Sequence, residues 1–189
     1  MIEILGLEPH EIADLIGGPE FRGMQIFEWL YQRNVQEFSA MTNLPRELRE
    51  YLKLHFTATL PEILTAEHGR DGTTKYALRV GAEVMEAVHM PEEKRDTLCI
   101  SSQAGCSFGC KFCVTARMNL RRHLTAGEIV GQVLLARKNH GRSARLNIVF
   151  MGMGEPFHNY NNVMKSVRIL AHPRGLAISP RRITISTVG

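Results

Sequence analysis

The pattern of apolar and polar positions divides the chain into three stretches. In the first, apolar residues recur at helical spacing. Ile12, Leu15 and Ile16 share one face, as do Ile26, Phe27, Leu30 and Tyr31, and then Leu48, Tyr51 and Leu52. Gly17-Gly18-Pro19 separates the first helix from the second, and Asn43-Leu44-Pro45 reads as a helix start with proline in the first turn. Trp29 falls inside the second predicted helix. A core position is its expected role, with base stacking as the alternative.

Between residues 62 and 90 the period shortens to two. Ile63 to His68, Thr74 to Val80 and Val84 to Met90 are predicted strands of an antiparallel meander, with turns at Gly69-Arg70-Asp71-Gly72 and Gly81-Ala82. On the third strand Val84, Glu86, Val88 and Met90 share a face. Burying an unpaired carboxylate is costly. Glu86 therefore sits either at an exposed sheet edge or in a pocket where a raised pKa would serve proton transfer.

From residue 98 strands and helices alternate. Leu98 to Ser101 is a short strand, and Thr125-Ala126-Gly127-Glu128 is a capping box opening a helix through about Asn139. Leu146 to Met151 is an apolar strand, Asn161 to Leu170 a helix, and Arg182 to Ser186 a third strand. This order predicts a parallel sheet buried on both faces. The expected organisation is a helical accessory domain at 1–56, the meander and a linker at 57–97, and an α/β core at 98–189. A third strand with the chain stopping at Gly189, just past it and with no covering helix, would leave an open edge, so the front part of a longer β/α protein is expected.

Composition (44% hydrophobic, 22% charged) is that of a globular chain and excludes disorder. No stretch is apolar enough to predict a membrane span, and Met1 to Gly6 lacks a basic leader, so a cytoplasmic address is expected. Charge is uneven. Residues 1–55 carry 9 acidic and 5 basic side chains, residues 56–97 carry 8 and 5, and residues 98–189 carry 2 and 13. A stretch at +11 calls for an anionic partner, of which phosphate backbone is the commonest, or else for a solvated basic surface. Arg117, Arg121, Arg122, His123, Arg142, Arg145, Arg181 and Arg182 are the candidate contributors.

The four cysteines, Cys99, Cys106, Cys110 and Cys113, fall within 15 residues, which points to metal or redox chemistry rather than a disulfide framework. Cys106, Cys110 and Cys113 form a Cys-x3-Cys-x2-Cys run directly after the first strand of the α/β region, with Gly105 and Gly109 supplying a permissive backbone. Three thiolates suit an iron–sulfur cluster with one iron left open. Zinc held by these three and His123 is the competing reading, and buried thiols without metal the third.

Here the sequence resembles a known family. The cysteine run with Phe112 before Cys113 resembles the radical S-adenosylmethionine superfamily. Thr97 to Cys106, Met151-Gly152-Met153-Gly154-Glu155-Pro156 and Arg181 to Gly189, in that order, resemble the dual-specificity ribosomal and transfer RNA adenine carbon-2 methyltransferases of RlmN type. Met41-Thr42-Asn43-Leu44-Pro45 fits the same family. Relatives that methylate carbon 8 of the same adenine are the neighbouring alternative. The resemblance implies the front of a radical S-adenosylmethionine (β/α) barrel, truncated after about three strands.

The resemblance also implies roles. Cys106, Cys110 and Cys113 match the ligands of a 4Fe–4S cluster whose open iron chelates S-adenosylmethionine and cleaves it to a deoxyadenosyl radical. Gly154, Glu155 and Ser186 match cofactor contacts at strand ends. Gly152 and Gly154 would let backbone approach a ligand, and Glu155 would pair with an ammonium group. Glu86 matches a proton acceptor, and Cys99 a cysteine that releases methylated RNA through a transient disulfide. The implied partners are 23S ribosomal RNA, transfer RNA and an electron donor such as a flavodoxin, with the protein a monomer away from membranes. The family's methyl-carrying cysteine has no counterpart among these four, so methyl transfer by this chain alone is not expected.

Overall fold

The computed structural model describes residues 1–141 and 145–189, so Arg142 of the basic candidates lies outside the described residues. The N-terminal stretch holds β1 (Ile2–Glu3), α1 (Pro9–Leu15), α2 (Glu20–Phe27), α3 (Arg46–His55) and β2 (Phe56–Thr57), with β1 and β2 paired in parallel. Pro45 stands at the N-cap position of α3, one residue ahead of the first turn expected for it. After α2 the helix widens into a π turn at Glu28–Gln32. There Trp29 is buried, its indole donating to Asn43 Oδ1 (2.5 Å) with the Arg33 guanidinium stacked on it, which fits the core role.

Next come β3 (Glu62–His68), β4 (Thr74–Val80), β5 (Glu83–Glu92), β6 (Arg95–Cys99), β7 (Gln103–Ala104), β8 (Arg122–His123), α4 (Ala126–His140), β9 (Leu146–Phe150), α5 (Tyr160–Ala171) and β10 (Ile183–Ile185). β3, β4, β5, β6, β9 and β10 form one six-stranded sheet in the order β10-β9-β6-β5-β4-β3. Pairing is antiparallel from β3 to β6 and parallel from β6 to β10. The meander and the parallel strands are thus one open, mixed sheet, and β6 belongs to both. The 97/98 boundary expected from the change of period falls within it.

One face of this sheet is covered. Tyr76, Leu78 and Val80 of β4, Met85 and Ala87 of β5, Leu98 of β6, and Ile148 and Phe150 of β9 share a core with Ile129, Val130, Val133 and Leu134 of α4. The opposite face carries Val84, 44% exposed, with Glu86, Cys99 and Val149 only partly buried. Burial on both faces, expected from apolar strands, is therefore corrected: among the described residues the helices lie on one side.

Helix α4 is apolar nearly all round because it is an inner layer. The sheet lies on one side and the N-terminal helices on the other. Asn34 Nδ2 donates to Leu134 O (2.8 Å), Arg137 donates to Tyr31 O (3.1 Å), and the buried Tyr31 hydroxyl accepts from Gly6 N (2.8 Å). Three ion pairs join the acidic N-terminal stretch to α5 and the loop after it: Glu8 with Arg168 (2.8 Å), Glu11 with Lys165 (2.7 Å), and Glu28 with Arg174. Part of the positive charge after residue 98 is thus offset within the chain.

Candidate functional site

The site is built at the C-terminal ends of β6 and β9, where α/β folds carry their ligand-binding residues. Its organising segment is Ser101–Gln103, fully or nearly fully buried. Gln132 of α4 grips Ser101 from behind, its Oε1 accepting from Ser101 N (2.8 Å) and its Nε2 donating to Ser101 O (2.9 Å). The Ser101 hydroxyl donates to Glu86 O (2.6 Å) and accepts from Met153 N (2.8 Å). Gln103 Oε1 accepts from Glu155 N (2.8 Å), and Asn159 Nδ2 donates to Ser102 O and Leu124 O. The buried Ser102 hydroxyl has no partner among the described residues. Sequence reasoning assigns no role to Ser101, Gln103, Gln132 or Asn159. The one signal in the sequence is a lone amide in the apolar run of α4.

The glycines of the turn after β9 serve this close fit. A Cβ at Gly152 would stand 2.7 Å from the Ser101 hydroxyl. One at Gly154 would stand 2.5 Å from Gln103 Cβ, at a φ of +100° that side chains rarely adopt. The backbone these glycines bring close is the chain's own Ile100–Gln103 segment.

Glu155 is buried and serves its own turn. Oε1 accepts from Phe157 N (2.9 Å) and from the Thr187 hydroxyl (2.7 Å), and Oε2 accepts from Val188 N (3.1 Å). Burial opposes its ionisation, but these donors and the His158 ring outweigh it and hold the carboxyl below the usual range. Three donors leave room for about one more on a carboxylate. Ser186 is exposed just past the end of β10, one residue before Thr187.

Glu86 lies on β5, an inner strand paired with β4 and β6, so the edge reading is corrected. Its side chain is 46% exposed on the open face and pairs with Lys75 (2.7 Å), so it is not enclosed in a pocket either. Cys99 lies opposite Val88 on β6, which puts it on the same face as Glu86 and diagonal to it. Burial raises the Cys99 thiol pKa against a weaker opposing hydrogen bond from Met151.

The cysteine loop rises from β7. Gly105, at φ +75°, fits beneath Asn119, where a Cβ would collide with backbone. Gly109, by contrast, has open space around it. Cys106 is buried at the loop's base, and Cys110 and Cys113 are half-buried and joined by a turn, Cys113 N donating to Cys110 O (3.1 Å). Among the described residues no three His, Cys, Asp or Glu side chains stand close enough to enclose a metal ion. The donor set, three thiols on one short loop, nonetheless has the chemistry of an iron–sulfur site. His123, the fourth ligand of the zinc reading, has its Nδ1 on Gln103 Nε2 (2.9 Å), and its pKa is lowered by burial and by His158.

The basic residues divide. Arg117 and Arg121 are exposed beside the loop, lining an open cleft of about 480 Å³ with Asn119, Gly105 and Glu83. Arg122 is no free cation, since both its terminal nitrogens reach Glu128 (2.7 Å each) and one also reaches Val80 O. Arg145 and Arg182 lie at the opposite end of the parallel strands, in a cleft of about 440 Å³ with Lys94 and Arg95.

Comparison with known proteins agrees with this architecture. Residues 2–58 match the ribosomal RNA large subunit methyltransferase N-terminal domain, and residues 100–189 match the radical SAM superfamily. The dual-specificity RNA methyltransferase RlmN of Halorhodospira halophila is 46% identical over all of this chain and 54% of its own length. That of Nitratiruptor sp. is 45% identical over all of this chain and 58% of its own. A crystal structure of a radical SAM methyltransferase from Sphaerobacter thermophilus superposes with a TM-score of 0.89 at 40% identity, covering all of this chain and 57% of that one. The chain spans a little over half the length of these relatives. Among the described residues no helix is long and apolar enough to cross a membrane. By sequence and by fold, this chain matches the N-terminal part of the RlmN radical SAM methyltransferase family.

Proposed function

We propose that this chain is the cluster- and cofactor-binding part of a cytoplasmic methyltransferase acting on carbon 2 of adenine in 23S ribosomal RNA and transfer RNA. The observation that carries the reading is the junction at Gln103. There the cysteine loop's strand and the Gly154–Glu155 turn meet through a buried 2.8 Å bond at the ends of parallel strands. Cys106, Cys110 and Cys113 would hold a 4Fe–4S cluster, and Gly154, Glu155 and Ser186 would line the S-adenosylmethionine site. When bound, the cluster supplies the electron that starts radical chemistry on that cofactor, from an external donor such as a flavodoxin.

The chain's own side chains supply part of the remaining chemistry. Glu86 presents a carboxylate oxygen on the open sheet face, 2.7 Å from Lys75 Nζ, and takes up a proton there. Cys99, on the same face, is the candidate for a role in releasing the RNA product, its thiol pKa raised by burial. Arg117 and Arg121 attract RNA phosphates beside the loop.

Anaerobic reconstitution with iron and sulfide tests the reading. About four irons per chain, with an electron spin resonance signal that shifts on adding S-adenosylmethionine, is expected. One tightly held zinc with no response to the cofactor would overturn it.

A further inference from the structure

Gln103, His123 and His158 form a junction between the turn and the loop that the proposed chemistry leaves unassigned. Gln103 is fully buried. Because its Oε1 accepts from Glu155 N, its Nε2 must be the donor end. Nε2 faces two imidazole nitrogens, His123 Nδ1 at 2.9 Å and His158 Nδ1 at 3.3 Å. An amide nitrogen carries two hydrogens, so it can serve both rings at once.

His158 stands three residues after Glu155, and its backbone N donates to Glu155 O (3.1 Å). The same imidazole reaches the cysteine loop. Its Nδ1, whose single lone pair the Gln103 amide and the Ser107 hydroxyl share as donors, lies 3.2 Å from that hydroxyl, next to Cys106, and the Phe108 ring meets the imidazole edge-on at 5.8 Å. From the other side the His123 ring meets it edge-on at 4.9 Å. Further along, the loop is poorly anchored: Phe112 is 92% exposed and Val114 75% exposed.

We propose that His158, held by Gln103, is a positioning residue that seats the front of the cysteine loop against the Gly154–Glu155 turn. The inference rests on the cluster-binding reading of that loop. Its value to the site is pre-organisation, because a loop held at its front presents its thiols in a smaller range of arrangements.

The test is cysteine alkylation by iodoacetamide in the metal-free full chain, followed residue by residue by mass spectrometry. His158→Leu is expected to speed alkylation of Cys110 and Cys113 about threefold or more, with Ser107→Ala giving a smaller rise in the same direction. Cys99, in the sheet, should not change, and neither should anything in Phe157→Leu, which alters the exposed neighbouring ring. His158→Asn, whose amide oxygen can accept from Gln103, should restore much of the slow rate. Unchanged loop rates in both His158→Leu and Ser107→Ala would overturn the proposal, and so would a Cys99 rate that rises in step with the loop's. Parallel reconstitution separates the two readings. Wild type that takes up no iron defeats the cluster assignment and leaves the alkylation contrast standing. Iron uptake without that contrast defeats the role of His158 alone.

Discussion

Gln132 and Ser101 are joined by a closed pair of hydrogen bonds, amide oxygen to backbone N–H at 2.8 Å and amide nitrogen to backbone carbonyl at 2.9 Å, both buried. A helix side chain here does what a neighbouring strand would do. It satisfies the backbone just where the chain leaves β6 and turns toward the cysteine loop. Replacing Gln132 with Leu keeps the volume and strands both backbone groups. At about 1–3 kcal/mol for each buried group left unpaired, the variant should lose roughly 2–6 kcal/mol of stability. Urea denaturation measures the loss, and a change under about 1 kcal/mol would show that water replaces the amide.

How much of this is legible in one dimension depends on the range of the interaction. Helix α4 is readable because its start is local. Thr125 and Glu128 make both bonds of the capping box within four residues. The cysteine run is readable for the same reason. The covered and open faces of the sheet are not, since an apolar strand reads alike whether one side or both are packed, and Val149 and Ile148 look equivalent until β9 is placed between β6 and β10. Glu86 stands out as a carboxylate among apolar residues, but its partner Lys75 lies on another strand, at a register that periodicity does not supply. Arg122 groups with the free cations in the sequence because its bond to Val80, 42 residues away, leaves no trace in spacing.

Glu155 should give the fold an acid-sensitive component. Its folded-state pKa is depressed, so its contribution is fully present above the ordinary carboxylate range and is lost as pH falls through the depressed value. Stability of the wild-type chain should therefore decline with acid, and Glu155→Gln should flatten that part of the profile while lowering the neutral plateau. Urea midpoints between about pH 3 and pH 7 give the comparison. Parallel profiles for the two proteins would mean that the Thr187 and Val188 bonds add nothing.

Arg117 and Arg121 border the cleft beside the loop, whereas Arg182 stands at the far end of the sheet. If RNA enters beside the loop, Arg117→Ala with Arg121→Ala should weaken RNA binding. It should also reduce the slope of log affinity against log salt by about one for each phosphate no longer neutralised. Arg182→Ala should leave both nearly unchanged. Fluorescence anisotropy with an adenine-containing RNA hairpin across a potassium chloride series decides it, and equal losses for the two sets would place the RNA elsewhere.

Lys165, Arg168 and Arg174 belong to the basic part of the chain by composition, yet each faces a glutamate of the N-terminal stretch. Their charge is spent on holding Glu11, Glu8 and Glu28, not on display to a polyanion. Partly exposed pairs contribute about 0–1 kcal/mol each, so changing all three cations to Gln should cost up to roughly 3 kcal/mol at low ionic strength and less in about 1 M salt, where surface charges are screened. The same triple variant should bind RNA as the wild type does, because none of the three lines the cleft beside the cysteine loop. Urea denaturation at two salt concentrations and the anisotropy series test the two halves. A triple variant as stable as wild type but weakened in RNA binding would reverse the assignment and make these cations part of the nucleic-acid surface.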